Sequence, residues 1–353
     1  MSITQKPFGV TPAGEQATEY TLTNSTGASV SITDFGGTLT KILVPDRDGK
    51  LVDVNLGMAD VTPYAKGLCG SMGALIGRVG NRIGNATFDL EGKTYKLFKN
   101  NNEANLHGGP VGFGLRMWEA EPAEIDGEPA LILHLISDDG DQGFPGKVEV
   151  QVTYAFSKDN ELLIHYEATT DAPTIINMTN HAYFNLDGHD AGDVMNLELQ
   201  INAHSVNEVA PGLIPTGKLI PQAEVVYNFT NPTRMGDVLS QNDTDPELKA
   251  AGGVDFNYCA GRDRETKVIA TLYSPKTGIV MDTITDQPGV QCYTGQFLDV
   301  VGKDGVHYGP FAGLCLETQH YPDAVHHTEF PSIVLRPQDT YDTFTIYRFG
   351  VKK

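Results

Sequence analysis

The sequence predicts an all-β protein, a large antiparallel β-sandwich with few short helices. Three observations carry that expectation. Short runs with apolar residues at every second position recur from end to end, the pattern of strands that bury one face. Turn-forming pairs punctuate them at Asp48-Gly49, Glu91-Gly92, Asp126-Gly127 and Asp187-Gly188, with Lys276-Thr277-Gly278 further on, as expected where hairpins rather than helical crossovers join strands. Helical patterns are confined to two brief stretches, Val61 to Lys66 and Arg234 to Ser240.

Taken in order, the predicted strands are Ala28 to Asp34, Leu51 to Leu56, Lys147 to Phe156 and Glu161 to Glu167. In the third, Val148, Val150, Val152, Tyr154 and Phe156 share one face, with mostly polar residues opposite. The stretch Pro173 to Met178 is rich in β-branched residues, so it favours an extended chain that ends at His181. Gly289 to Phe297 alternates like a strand. Leu314 to Leu316 is apolar and runs into Glu317, which places that carboxyl where a buried strand meets a loop, and Pro322 stops further pairing. No low-complexity linker, solenoid repeat or break in composition divides the chain, so residues 1–353 are expected to form a single domain.

With 353 residues, 40% of them hydrophobic and 20% charged, the chain is long enough for a substantial core and has a globular composition. Its formal charge of −20 repels nucleic acid and anionic membranes and disfavours a phosphorylated substrate. A neutral ligand fits that balance, as does an acidic surface that only confers solubility. No apolar run approaches the roughly 20 residues of a membrane span, and Met1 to Phe8 lacks the apolar core of a signal peptide. Cys69, Cys259, Cys292 and Cys315 show no metal-ligand or disulfide spacing, so free thiols and a cytoplasmic location are expected.

Six segments bear chemistry. Thr179-Asn180-His181-Ala182-Tyr183-Phe184-Asn185-Leu186 offers an imidazole on or beside a strand, either a positioned general acid or base or a hydrogen-bonded structural residue. Gly77-Arg78-Val79-Gly80-Asn81-Arg82-Ile83-Gly84 does not match a phosphate loop, and it presents Asn81 and Arg82 either as fixed donors from a glycine-permitted bend or as surface groups of a turn. His107, followed by Gly108 and Gly109, leaves room for a ligand or another backbone to approach, or is itself a turn histidine. Asp255 lies among apolar and aromatic residues as a turn former or as an acceptor for ligand hydroxyls, and Gln291 and Tyr293 carry groups suited to polar ligands. Glu317 is the remaining carboxyl of interest, because partial burial raises a Glu pKa into a range useful for proton transfer. His320, Asp323, His326, His327 and Glu329 follow it without the spacing of a known metal site.

Together, Gly77-Arg78, Asn81-Arg82-Ile83, Leu106-His107-Gly108-Gly109, Asn180-His181 with Tyr183-Phe184-Asn185-Leu186, Val254-Asp255, Gly289-Val290-Gln291 with Tyr293-Thr294, and Glu317-Thr318-Gln319 with Pro322-Asp323 resemble the aldose 1-epimerase (galactose mutarotase) family. The motifs occur in the family's order over nearly the whole chain. Two positions depart from the pattern: Gly80 stands where alanine is usual, and His326 where asparagine is usual. The resemblance implies a galactose mutarotase-like supersandwich with an open sugar cleft. It implies that free hexoses such as D-galactose and D-glucose are interconverted between anomers, with Glu317 as general base and His181 as general acid, an imidazolium on the opposite side of the acetal carbon. Arg82, His107 and Asp255 would hold the sugar, and Asn81 and Gln291 would make further contacts. No cofactor and no metal are implied, and the expected partner is a monosaccharide met by a monomer or homodimer. A glycoside hydrolase using Asp255 and Glu317, a non-catalytic sugar-binding module and a hexose-phosphate epimerase are the rival readings.

Overall fold

The computed structural model describes residues 2–352. The alternating runs become strands. Val148–Phe156 buries Val148, Val150, Val152, Tyr154 and Phe156 and pairs antiparallel with Glu128–Ser137 on one side and Glu161–Thr170 on the other. These belong to a nine-stranded sheet, through which the C-terminal strand Tyr341–Val351 runs between Glu161–Thr170 and Ile279–Thr285. At the hairpin ending Glu119–Ile125, Asp126 and Gly127 adopt φ of 52° and 81°. Two consecutive positive φ values match the right-handed twist of the flanking strands, which explains the Asp-Gly pair.

Two five-stranded antiparallel sheets complete the layers. The first meanders in sequence order from Ser2–Val10 to Leu51–Asp53. The other runs Ile214–Pro221, Ser205–Ala210, Asp255–Cys259, Gly289–Tyr293, Cys315–Gln319. One apolar cluster joins the three, with Val30 and Ile32 from the first, Leu133, Val150 and Ile164 from the nine-stranded sheet, and Phe256, Val290 and Leu316 from the third. Tyr347 fastens two layers by donating its hydroxyl to Leu316 O at 3.0 Å while its ring packs 4.8 Å from Phe184.

The third sheet positions the chemistry. Paired residues of antiparallel strands share a face, so Asp255, Tyr293 and Cys315 form one row across it and Asn257, Gln291 and Glu317 the next. The intervening Phe256, Tyr258, Val290, Cys292 and Leu316 are buried on the other face, in the core. Alternation thus separates a polar wall from an apolar one within the same strands.

Three expectations need correction. Glu317 is not at a strand end but in the middle of Cys315–Gln319, because Thr318 and Gln319 continue the pairing with Val290 and Gly289. The extended run before His181 is broken into Thr174–Ile175 and Thr179–Asn180, each paired with a different partner. A third helix, Pro246–Ala251, lies between the expected ones and Asp255. Its ends were written locally: Asp245 accepts from the N–H groups of Glu247 and Leu248, Pro246 opens the first turn, and Gly252 closes the helix at φ 77°. No helix among the described residues is long and apolar enough to cross a membrane. The four cysteines are free and buried.

Candidate active site

Glu317 projects from its strand into a wall where it is 2% exposed. Its Oε1 lies 3.6 Å from His181 Nε2, and its Oε2 has no hydrogen-bond partner among the described residues. Across the strand pair, Gln291 donates Nε2–H to Asp255 Oδ1 at 2.6 Å and leaves its own Oε1 unpartnered. Buried acceptors in folded proteins are nearly always satisfied, so two facing one wall mark a place where an outside donor belongs.

His181 is clamped by its backbone. Its N–H donates to Ala74 O at 3.0 Å and its carbonyl accepts from Gly73 N at 2.8 Å. The imidazole stacks on Tyr183 at 5.1 Å and meets the edges of His107 and Tyr293 at 5.3 and 6.0 Å. Its Nδ1 is 3.4 Å from Cys315 Sγ. The two nitrogens of one ring are therefore addressed by two side chains of one strand.

The Arg82 loop faces this wall. Asn81 takes φ 60°, so the bend is made by the asparagine and not by Gly80. Asn81 Oδ1 accepts the N–H of Arg82 at 2.9 Å, a local bond that helps asparagine tolerate this backbone region. The backbone N–H of Asn81 donates to His107 Nδ1 at 3.1 Å, and its carbonyl accepts from His107 N at 3.0 Å. The room behind His107 is filled by backbone: a Cβ at Gly108 would lie 2.0 Å from Gly77 O. Arg82 donates Nε–H to Asn101 at 3.3 Å and reaches Asp255 Oδ2 only at 3.7 Å, so several guanidinium donors remain free. Asp323 anchors the loop from the last motif, donating its N–H to Arg82 O at 3.0 Å and accepting from Gly84 N at 2.8 Å.

Burial governs the charges. It raises Glu317 well above the usual carboxyl range, the nearby Asp255 charge adds to the rise, and Arg82 opposes it. Burial also raises Asp255, opposed by Arg82 and by the Gln291 bond. His181 is pushed down to about 4 by burial, and His107 falls well below its ordinary value by burial and then by His181 and Arg82. Burial therefore disfavours the expected imidazolium in the unliganded site, as it does an isolated Glu317 carboxylate. His181 Nε2 and Glu317 Oε1 stand 3.6 Å apart.

All seven expected site residues converge. Asn81 acts chiefly as a brace, because its oxygen is spent on Arg82. Cys315 and Asn101 were missed; Cys315 could have been found from its spacing of two from Glu317 on a strand. A cleft of 410 Å³ opens over Arg82, Asn101 and Asp255 with Leu213, Pro246 and Phe297 at its rim, and 380 Å³ lies beside His107. A larger hollow of 790 Å³ covers the exposed acidic side chains Glu119, Glu121 and Glu149 of the nine-stranded sheet, and none of the seven expected site residues lines it. One His107 nitrogen, one from His181 and one Glu317 oxygen lie within 4.8 Å of one another. The Asn81 N–H bonded to His107 Nδ1 leaves the proton of the neutral ring on Nε2, which suits donation to a hydroxyl and not coordination of a cation.

A family model described as Aldose 1-epimerase matches residues 18–348. A human protein named galactose mutarotase is 37% identical over 352 residues, covering 99% of both chains. A protein from Escherichia coli K12 named aldose 1-epimerase is 34% identical over 341 residues, covering 96% of each. Among solved structures, a GalM/aldose epimerase homologue from C. elegans superposes with a TM-score of 0.85 at 31% identity, over 94% of this chain and 98% of that one. A galactose 1-epimerase from Lactobacillus acidophilus, at 23% identity, shares the fold with a TM-score of 0.86 over 100% of this chain and 99% of its own.

Proposed function

The chain belongs to the aldose 1-epimerase family and interconverts the α and β anomers of sugars, and we propose that Glu317 and His181 carry its two proton transfers. One observation supports this above the rest: a buried carboxyl oxygen and a buried imidazole nitrogen stand 3.6 Å apart, beside unsatisfied acceptors on Glu317 and Gln291. The hydroxyl and ring oxygens of a hemiacetal share one carbon, so two groups this close can each reach one of them.

Opening the ring needs the ion-pair form, in which the proton carried by neutral Glu317 has moved to His181 Nε2; ionised Glu317 then takes the proton of the C1 hydroxyl while His181 gives its Nε2 proton to the ring oxygen. The C–O bond to the ring oxygen breaks and an aldehyde remains. Afterwards Glu317 is neutral and so is His181, which is the charge state that burial favours. The neutral pair is thus matched to the open-chain sugar, and rotation about C1–C2 followed by the reverse transfers closes the other anomer. The pair shares one proton throughout, so it titrates as a unit. Each positioned transfer is worth about 10²–10⁴ in rate.

Arg82, His107 Nε2–H and Asp255 hold the sugar hydroxyls, with Gln291 Oε1 as a further acceptor and Asn81 as the brace that aims His107. In the glycoside hydrolase alternative Asp255 would need to be free, but its oxygens face Gln291 and Arg82. Every group named comes from one chain, so a monomer and a homodimer carry the same complete site. The formal charge of −20 supports a neutral sugar over a phosphorylated one. The apolar cluster that joins all three large sheets supports one domain, and four free thiols support a cytoplasmic setting.

Polarimetry of freshly dissolved α-D-galactose and α-D-glucose, with wild type, with Glu317→Gln and with buffer alone, tests the proposal. Acceleration by the wild type and its loss in the variant is the expected result. Sugar binding without acceleration by either protein would replace it with a binding module.

A further inference from the structure

Cys315 and Glu317 are two apart on one strand, so the pleat turns both to the same face, and the imidazole of His181 lies between them. Sulfur is 3.4 Å from Nδ1 and the carboxyl oxygen 3.6 Å from Nε2. Cys315 is fully buried and, among the described residues, its sulfur is the one hydrogen-bond partner of Nδ1.

The chemistry proposed above decides how that contact is wired. If Nδ1 accepted S–H, the neutral ring would carry its proton on Nε2, and giving that proton away would leave an imidazolate. A histidine that cycles a proton through Nε2 must keep Nδ1 protonated at every stage, and Nδ1–H then needs an acceptor. We propose that the Cys315 sulfur is that acceptor, making Cys315 a positioning residue that holds His181 as the Nδ1–H tautomer and leaves Nε2 as the only nitrogen that exchanges a proton with the sugar.

In the transfer, the Nε2–H bond breaks as an O–H bond forms at the ring oxygen, while Nδ1–H stays on sulfur. Sulfur suits the task because it is a weak acceptor. A carboxylate at Nδ1 would stabilise the imidazolium and raise its pKa, making it a poorer acid. Burial pushes the Cys315 thiol well above its ordinary pKa, so no thiolate forms to act in that way.

This inference rests on His181 being the acid, and its test separates the two. Nitrogen NMR of ¹⁵N-imidazole-labelled wild type, with His181 assigned through His181→Asn, reads the tautomer directly. Protonation at Nδ1 with Nε2 bare is expected; a ring protonated at Nε2 alone overturns the inference even if no variant folds. Cys315→Ala is expected to lower kcat about 10–100-fold, the range typical when a partner that orients a functional histidine is lost. KM should change less than about threefold, because sugar-holding groups are untouched, and the tautomer should shift. Cys315→Ser, whose hydroxyl also accepts, should recover most of kcat. Wild-type kcat and tautomer in Cys315→Ala, with Glu317→Gln inactive, would remove only the role of sulfur. Wild-type turnover in Glu317→Gln or His181→Asn would remove the catalytic proposal beneath it.

Discussion

Arg78 and Arg82 belong to one loop and meet opposite fates. Arg78 is 2% exposed and spends all five donors: Nε–H on Ser137 Oγ, Nη1 on Pro145 O and Thr174 Oγ1, and Nη2 on the carbonyls of Ser137 and Asp138. Arg82 makes one hydrogen bond of 3.3 Å and one loose ion pair of 3.7 Å. The same side chain is thus a staple where its donors are filled and a binding group where they are left over. Carboxyls divide in the same way. Asp323 is held by Gly84 N and by His326 Nδ1 at 2.7 Å, whereas Glu317 keeps an oxygen with no partner. Unsatisfied polarity, costly in a core, is retained where a substrate completes it.

This contrast breaks most visibly at Glu317. Glu317→Gln keeps the shape and removes the base, so turnover should fall about 10²–10⁴-fold in polarimetry. Its thermal midpoint should stay level or rise, because a raised, unsatisfied carboxyl has been replaced by a neutral amide. Arg78→Met should do the reverse. Removing a buried charge that satisfies five oxygens from the chain's own carbonyls and hydroxyls should cost roughly 3–5 kcal/mol in urea unfolding, with turnover per folded molecule kept near wild type. A large loss of activity without a loss of stability in that variant would dissolve the distinction between staple and binding group.

Arg82→Ala should raise KM about 10–100-fold, the value of one or two charge-assisted bonds to sugar hydroxyls, with unfolding free energy changed by less than about 1 kcal/mol. Arg82→Lys should restore little, since a point charge does not replace the planar fork.

A smaller effect concerns pH. His181 is lowered to about 4, so kcat/KM should show no break near 6.5; it should fall as pH drops through about 4, where the shared-proton pair takes up a second proton, and fall again at higher pH where the pair loses the shared one. His320 is likewise lowered to about 4 by burial. Between 6.5 and 4 the unfolded chain binds a proton that folded His320 refuses, so the thermal midpoint of wild type relative to His320→Gln should decline on acidification over that window. The least effect is expected at Gly80→Ala, where the added Cβ would meet Asn177 O and Thr179 Cγ2 at 3.3 Å with no positive φ to oppose it. Stability should shift by less than about 1 kcal/mol in either direction.

Residues 289–293 and 314–316 were legible as alternating or apolar runs, and the six motifs contain the seven residues proposed to act on the sugar, though neither Asn101 nor Cys315. Gln291 was readable as an amide on a strand, yet only the sheet reveals that one end of it serves Asp255 and the other is buried without a partner among the described residues. Cys315 went unremarked because a single cysteine in an apolar run looks like a core residue until the ring of His181 is set against it. Arg78 carried no signal that would separate it from Arg82, since both sit among glycines in the same octapeptide.

By itself the sequence determined what depends on near neighbours. Period-two alternation set the strands and which side chains share a face, Asp126-Gly127 set a hairpin, and Asp245-Pro246 with Gly252 set the ends of a helix. Only the tertiary structure decided that Glu317 lies in mid-strand, that His181 is neutral and paired with it, and which arginine is spent. Those properties arise from desolvation and from charges brought in by strands far apart in the chain, and both act through distances that no local pattern encodes.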